Sequence, residues 1–193
     1  MKQAPLTVRR WKRVEYDRLV DLGMFQDEPL ELIAGHLIVA EPQGSWHAAT
    51  IEIVAEALRG VLPPGWVVRD EKPLALDDDS SPEPDVAVVP GRHADYLAAH
   101  PDRPALAIEI AETSLHFDRE HKGSLYARAR IVDYWIVNLV DDVLEVYREP
   151  VTDPLAPYGW RYRSMTRLVP PADLALLALP AAHVAVADLL PSR

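Results

Sequence analysis

Apolar residues recur along this chain at two different periods, and the switches between them mark out its elements. Val8, Trp11, Val14, Leu19 and Leu22 fall at helical spacing behind Thr7, a capping residue type, so a helix is predicted over 8–22. Two short apolar runs, Leu30-Glu31-Leu32-Ile33 and His36-Leu37-Ile38-Val39, flank Ala34-Gly35 and read as a hairpin. From Ser45 to about Arg59 the inner stripe His47, Ile51, Val54, Leu58 predicts a second helix, ended by Gly60 and Pro63-Pro64-Gly65. Strands are predicted at 66–70, 73–76, 85–89 and 105–111, then a third helix from Ser114 to Arg130, then strands at 131–137 and 143–147. Residues 150–159 carry three prolines and read as a loop, followed by a short β extension and an apolar segment near 183–190. Helices interspersed with strands too apolar to face water predict a layered α/β domain around a central mixed sheet.

Length and composition narrow this further. A chain of 193 residues is most simply one domain, 1–193, with no internal repeat or low-complexity segment. It has no cysteine, which excludes disulfides, thiolate metal sites and cysteine nucleophiles. No apolar run approaches the ~18 residues of a membrane span, and no signal-peptide core opens the chain, so a cytoplasmic protein is expected. The net charge of −10 argues against strong nonspecific nucleic-acid binding. That charge is uneven, however. Residues 1–18 hold six basic side chains against two acidic, whereas 77–85 hold five acidic and no basic ones.

Two carboxylates stand where carboxylates are costly. Asp85 follows Pro84 and opens the run Val86-Ala87-Val88-Val89, and Glu109 interrupts Leu106-Ala107-Ile108-Glu109-Ile110-Ala111. A buried carboxylate needs a positive partner, and strand alternation turns both side chains into one space flanked by small residues. Taken singly, Asp85 caps a turn and Glu109 pairs with an arginine. Taken together they suit a hard cation such as magnesium, which binds one or two carboxylates and keeps waters and phosphate oxygens. A lysine two residues after the glutamate would complete the set, but position 111 is alanine. Lys122 is placed to replace it. On the third helix it shares the apolar stripe of Asp118, Leu125, Tyr126 and Ala129, and it is one of only four lysines beside sixteen arginines. A lysine there can orient a water and offset charge developing on a phosphate. Glu31 and His47 are further candidates, the first able to reach the same cation, the second more commonly a hydrogen-bonded core residue. No calcium loop, zinc-helix spacing, phosphate-cradling glycine loop or serine elbow is present.

These residues resemble the PD-(D/E)xK nuclease superfamily, and within it the Uma-type family of restriction endonucleases. The resemblance rests on Glu31-Leu32-Ile33-Ala34-Gly35, on His47, on Pro84-Asp85-Val86-Ala87-Val88-Val89, and on Ile108-Glu109-Ile110-Ala111-Glu112-Thr113-Ser114. It continues through Asp118, Lys122 and Tyr126 to Asp133-Tyr134-Trp135-Ile136-Val137. It implies a restriction-endonuclease-like α/β core with a C-terminal β extension. It also implies Mg²⁺, or Mn²⁺ in its place, on Asp85, Glu109 and the Ile110 carbonyl, with Lys122 and Glu31 as further catalytic residues. His47, Asp118 and Tyr126 would support them; separately, the basic cluster Arg9, Arg10, Lys12 and Arg13 is expected to contact DNA. The acidic chain suits a homodimer that gathers its basic edges. Arg130 departs from the pattern by standing where the family usually has glycine. The alternatives are a non-catalytic module of this fold that binds nucleic acid or a protein, and, less well supported, a two-carboxylate glycosidase.

Overall fold

The computed structural model describes residues 7–26, 28–40 and 42–191. Its centre is a six-stranded sheet of β3 (Trp66–Asp70), β4 (Val86–Pro90), β5 (Leu106–Ala111), β6 (Asp133–Asn138), β7 (Val143–Thr152) and β8 (Trp160–Leu168), side by side in that order. Neighbours are antiparallel except β5 and β6, which run parallel because a helical connection carries the chain between them. Every residue of β5 and β6 is buried, which explains their near-continuous apolar sequences. One face packs against helix α2 (Ser45–Val61) and the C-terminal hairpin of β9 (Asp173–Leu176) and β10 (Leu179–Ala185). There Ile51, Val54, Leu58, Val86, Val88, Ile108, Ile110, Trp135 and Val184 form the larger core. The other face carries a smaller cluster of Ala107, Ala111, Tyr126, Tyr134, Ile136 and Tyr162 beneath the third helical segment.

The predicted hairpin is present as β1 (Leu30–Ile33) and β2 (His36–Val39). Ala34 and Gly35 turn it with φ of 47° and 80°, the two positive angles of a type I′ turn. A Cβ at Gly35 would lie 2.6 Å from Cβ of Arg10, so glycine also admits the N-terminal segment.

Four predicted boundaries move. Helix α1 spans Arg13–Asp21 rather than 8–22. The backbone N–H of Trp11 is taken by Gly35 O (2.9 Å), which holds residues 11–12 out of the helix, and that of Arg13, the first helical residue, is taken by Asp78 O (2.7 Å). Lys12, not Thr7, is the cap residue, and the Glu15 carboxylate accepts its backbone N–H at 3.0 Å. Segment 73–76 is a loop, its apolar signal coming from Leu74, which is fully buried without joining a ladder. Pro150 belongs to β7, just past the last residue paired with β6, so no ladder bond on that side is lost. Finally, the third helix is three pieces: α3 (Leu115–Phe117), a π-helical turn (Asp118–Lys122) and α4 (Gly123–Arg128). The N–H of Gly123 reaches back five residues to Asp118 O, and Tyr134 Oη donates to the same carbonyl at 3.0 Å.

α4 ends in a Schellman motif. Ile131 N–H bonds Tyr126 O and Arg130 N–H bonds Ala127 O, with Arg130 held at φ 60°. That is the position where the family resemblance puts glycine. Arg130→Gly is therefore expected to stabilise the protein by up to about 1 kcal/mol, read as a shift in the urea midpoint at unchanged slope. A lowered midpoint would show that the contact of Arg130 with the Trp160 ring outweighs the backbone strain.

Candidate active site

The register of β4 and β5 pairs Val86 with Ile108, so Asp85, one residue before β4, stands across from Glu109. The ladder ends there, and Asp85 completes it: its Oδ2 accepts the Ile110 N–H at 2.6 Å. Oδ1 lies 3.2 Å from Nε2 of His47, which α2 presents from its first turn. The N–H and C=O of one strand residue point to the same side, and Ala111 O is bonded on the β6 side by Leu139 N–H. The Ile110 carbonyl is thereby directed to the Asp85 side.

Glu109 receives two donors on one oxygen. Tyr126 Oη is 2.5 Å and Lys122 Nζ 3.2 Å from Oε1. Lys122 also spans both oxygens of Glu31, at 3.1 and 3.0 Å, and lies 3.5 Å from Glu83 O. Glu31 Oε2 is further held by the Glu83 N–H at 2.9 Å. The helical stripe read from the sequence thus delivers Lys122 and Tyr126 together onto Glu109. Ala111 instead lies fully buried in the tyrosine cluster. Asp118, one π turn before Lys122, accepts Ser114 Oγ at 2.5 Å.

Relative exposures of 9% for Asp85, 3% for Glu109, 3% for Asp118 and 5% for Lys122 put this charge on the floor of a cleft of ≈ 920 Å³. Burial and neighbouring carboxylates decide the protonation states. Burial drives Glu109 well above the ordinary carboxylate range; Lys122 opposes this, and Asp85, Asp118 and Glu31 reinforce it. Burial likewise raises Asp118 to about 6, against the pull of Lys122 and Ser114. Burial also disfavours the Lys122 ammonium, but Glu109, Glu31, Asp118 and Asp85 more than offset it and hold its proton above the usual lysine range. Burial lowers His47, and its hydrogen bond and proximity to Asp85 reverse that, leaving it raised.

A carboxyl raised by folding is stable in its protonated form. Its contribution is complete below the unfolded value and disappears as pH rises through the folded one. For Asp118 the window runs from about 4 to about 6, and two units correspond to about 3 kcal/mol. Metal-free protein should lose stability across that window, and Asp118→Asn should flatten the loss in urea titrations at pH 4, 5, 6 and 7. An unchanged slope in the variant would assign the loss to other groups.

Among the described residues no three His, Asp or Glu side chains form a ready metal cage. A hard divalent ion does not need one. The buried, mutually repelling Asp85 and Glu109 are the oxygen donors such an ion takes, and the directed Ile110 carbonyl is a third. The donor chemistry fits a hard divalent ion.

The predicted site residues Asp85, Glu109, Ile110, Lys122, Glu31, His47, Asp118 and Tyr126 therefore converge. The basic segment does not join them. Arg9 pairs with Glu15, Arg10 bonds Ala34 O at 3.2 Å, and Arg13 bonds Asp77 O and Asp17, at 2.8 and 3.0 Å. Arg10 and Arg13 thus anchor the N-terminal segment, and Arg9 pairs within it. Missed by sequence reasoning was Glu83, which lines the cleft and is raised by burial and Glu31 to about 6. Its signal was its two-residue spacing from Asp85 between two prolines. Also missed was the clamp behind the π turn, where Arg119 pairs with the fully buried Glu145, itself bonded by Tyr147 Oη at 2.7 Å and Asn138 Nδ2 at 2.9 Å.

A search of curated proteins finds no match. Among solved structures, the chain is similar to the crystal structure of a putative nuclease belonging to DUF820 from Anabaena variabilis ATCC 29413. The TM-score is 0.59 at 20% identity, over 83% of this chain and 88% of that one. That likeness establishes the restriction-endonuclease-like fold. The family model described as Uma2, "Putative restriction endonuclease", matches residues 13–187. With nine-tenths of its length inside that match, the chain belongs to the Uma2 family.

Proposed function

We propose that this protein is a divalent-metal-dependent DNA endonuclease that hydrolyses phosphodiester bonds. The observation that carries the reading is the buried pairing of Lys122 with Glu109 opposite Asp85 on a cleft floor. Binding alone needs no buried ammonium among carboxylates, because such an arrangement costs stability that a surface patch would not. A Mg²⁺ or Mn²⁺ ion held by Asp85, Glu109 and the Ile110 carbonyl supplies Lewis-acid chemistry for phosphoryl transfer. The protein's own groups prepare the rest. Ile110 N–H and His47 fix both oxygens of Asp85. Tyr126 and Lys122 fix one oxygen of Glu109, and Glu31 holds the ammonium from the far side. Lys122 thereby brings a fixed positive charge to the place where a pentavalent phosphate gathers negative charge. Asp118 borders the same cleft with one oxygen held by Ser114, and can take a proton from a water positioned there. Arg9 and Lys12 stay in the proposal as outlying DNA contacts.

The test is cleavage of supercoiled plasmid and of circular single-stranded DNA in Mg²⁺, Mn²⁺ or EDTA. Ion-dependent cutting that Glu109→Gln abolishes is expected. Cutting of neither DNA, or full activity in Glu109→Gln, overturns the reading. Binding without cutting would favour the non-catalytic module.

A further inference from the structure

We infer that the DNA entering this cleft is an unpaired strand rather than intact duplex, an inference that rests on the nuclease reading of the same site. The first argument is depth. Asp85, Glu109, Asp118 and Lys122 are all at most 9% exposed, so a scissile phosphate must descend between walls to meet them. A cleft of ≈ 920 Å³ is of small-ligand size, and duplex DNA, stiff over about 150 base pairs, does not fold into it.

The second argument is charge. Lys122 is the only lysine or arginine among the described residues that line the cleft, and its ammonium is already committed to Glu31 and Glu109. Around it the lining carries Glu71, Glu83 and Glu112. Both duplex and single strand are polyanions, but the duplex carries the higher charge density and the larger electrostatic term, so walls of the same sign penalise it more.

The third argument is what the walls offer instead. One side is the open end of the β1–β2 hairpin, Ile38, Val39 and Ala40, with Val39 54% exposed. The lining also carries Phe117, whose ring stacks on His121 at 5.2 Å. Apolar and aromatic walls above an anionic floor suit a strand that turns its bases outward to the sides. Such a strand lowers a single phosphate to the floor. Base–aromatic stacking is tolerant of sequence and needs the base free of its partner. Duplex reaches the same state only by unpairing, at a cost of a few kcal/mol.

The experiment compares a fluorescein-labelled 20-nucleotide single strand with the blunt duplex of the same sequence. Affinities are read by anisotropy with Glu109→Gln protein in Mg²⁺, which leaves the DNA uncut, and cleavage is read with the parent in Mn²⁺. Single strand should bind, and be cut, at least tenfold better than duplex. Phe117→Ala should weaken single-strand binding about tenfold, the scale of one lost stacking contact. Val39→Ser, at an exposed position that does not threaten the fold, should weaken it severalfold. Duplex bound as tightly as single strand, no binding of either, or both variants within twofold of the unaltered walls would each overturn the inference. A preference for single strand without cleavage of either would leave the inference standing and remove the nuclease reading instead.

Discussion

Lys122→Met is expected to cost about 3–5 kcal/mol of stability at neutral pH, the usual consequence of deleting one partner of a buried charge pair. The methionine fills the lysine's volume, so the loss is electrostatic. Glu31 and Glu109, now without the ammonium that spans them, face Asp85 and Asp118 in a nearly dry space. The destabilisation should be small at pH 4–5, where the raised carboxyls of Glu109 and Asp118 hold protons, and should grow as pH rises past 6. Urea unfolding at several pH values measures it, and an equal loss at pH 4.5 and 7.5 would contradict the charge argument. Under conditions where the variant stays folded, cleavage should fall by about 10²–10⁴. Ala111→Lys, which restores a lysine at the usual strand position, should not recover it. Position 111 is fully buried beside Tyr126 and Tyr134, where added bulk typically costs 1–3 kcal/mol by itself.

Asp85→Asn and Glu109→Gln should each abolish calorimetric Mn²⁺ binding, since each removes one of the two anionic donors proposed for the ion. Their effects on the metal-free protein should differ from their effects on the loaded one. Folding raises the Glu109 carboxyl, so its charged form is a burden once pH exceeds the raised value. A neutral glutamine relieves that burden while still accepting from Tyr126. Metal-free Glu109→Gln should melt at least as high as the parent at pH 8, while the parent alone should gain melting temperature on adding Mn²⁺. Retained Mn²⁺ binding in both variants would mean the ion sits elsewhere.

Most of the sheet was legible because β4, β5 and β6 are short apolar runs bounded by turn residues, and strand alternation alone placed Asp85 and Glu109 on one face. Lys122 was legible for a similar reason: a lysine at helical spacing from Leu125 and Tyr126 has to point where they point. The π turn beneath it was not. One shifted backbone bond barely changes side-chain periodicity, and the groups that hold it, Tyr134 and the Arg119–Glu145 pair, come from other elements. Leu74 misled for the converse reason, since a loop residue can be fully buried and imitate a strand. Trp11 was read as helical although its N–H goes to Gly35, a partner that no local pattern announces. The partnership of Lys122 with Glu31 joins residues 91 positions apart and was visible only as two separate anomalies.

The double donation to Oε1 of Glu109 bears on ion discrimination. With Tyr126 and Lys122 both on that oxygen, Glu109 would have its other oxygen to offer a cation, a one-atom grip. Calcium gains from carboxylates that clasp it with both oxygens and from a crowded shell of six to eight ligands. Magnesium and manganese, content with six and retaining several waters, lose nothing by a one-atom grip. For the divalent ion proposed above, the tyrosine and the lysine would thus favour the small octahedral ions without contacting them.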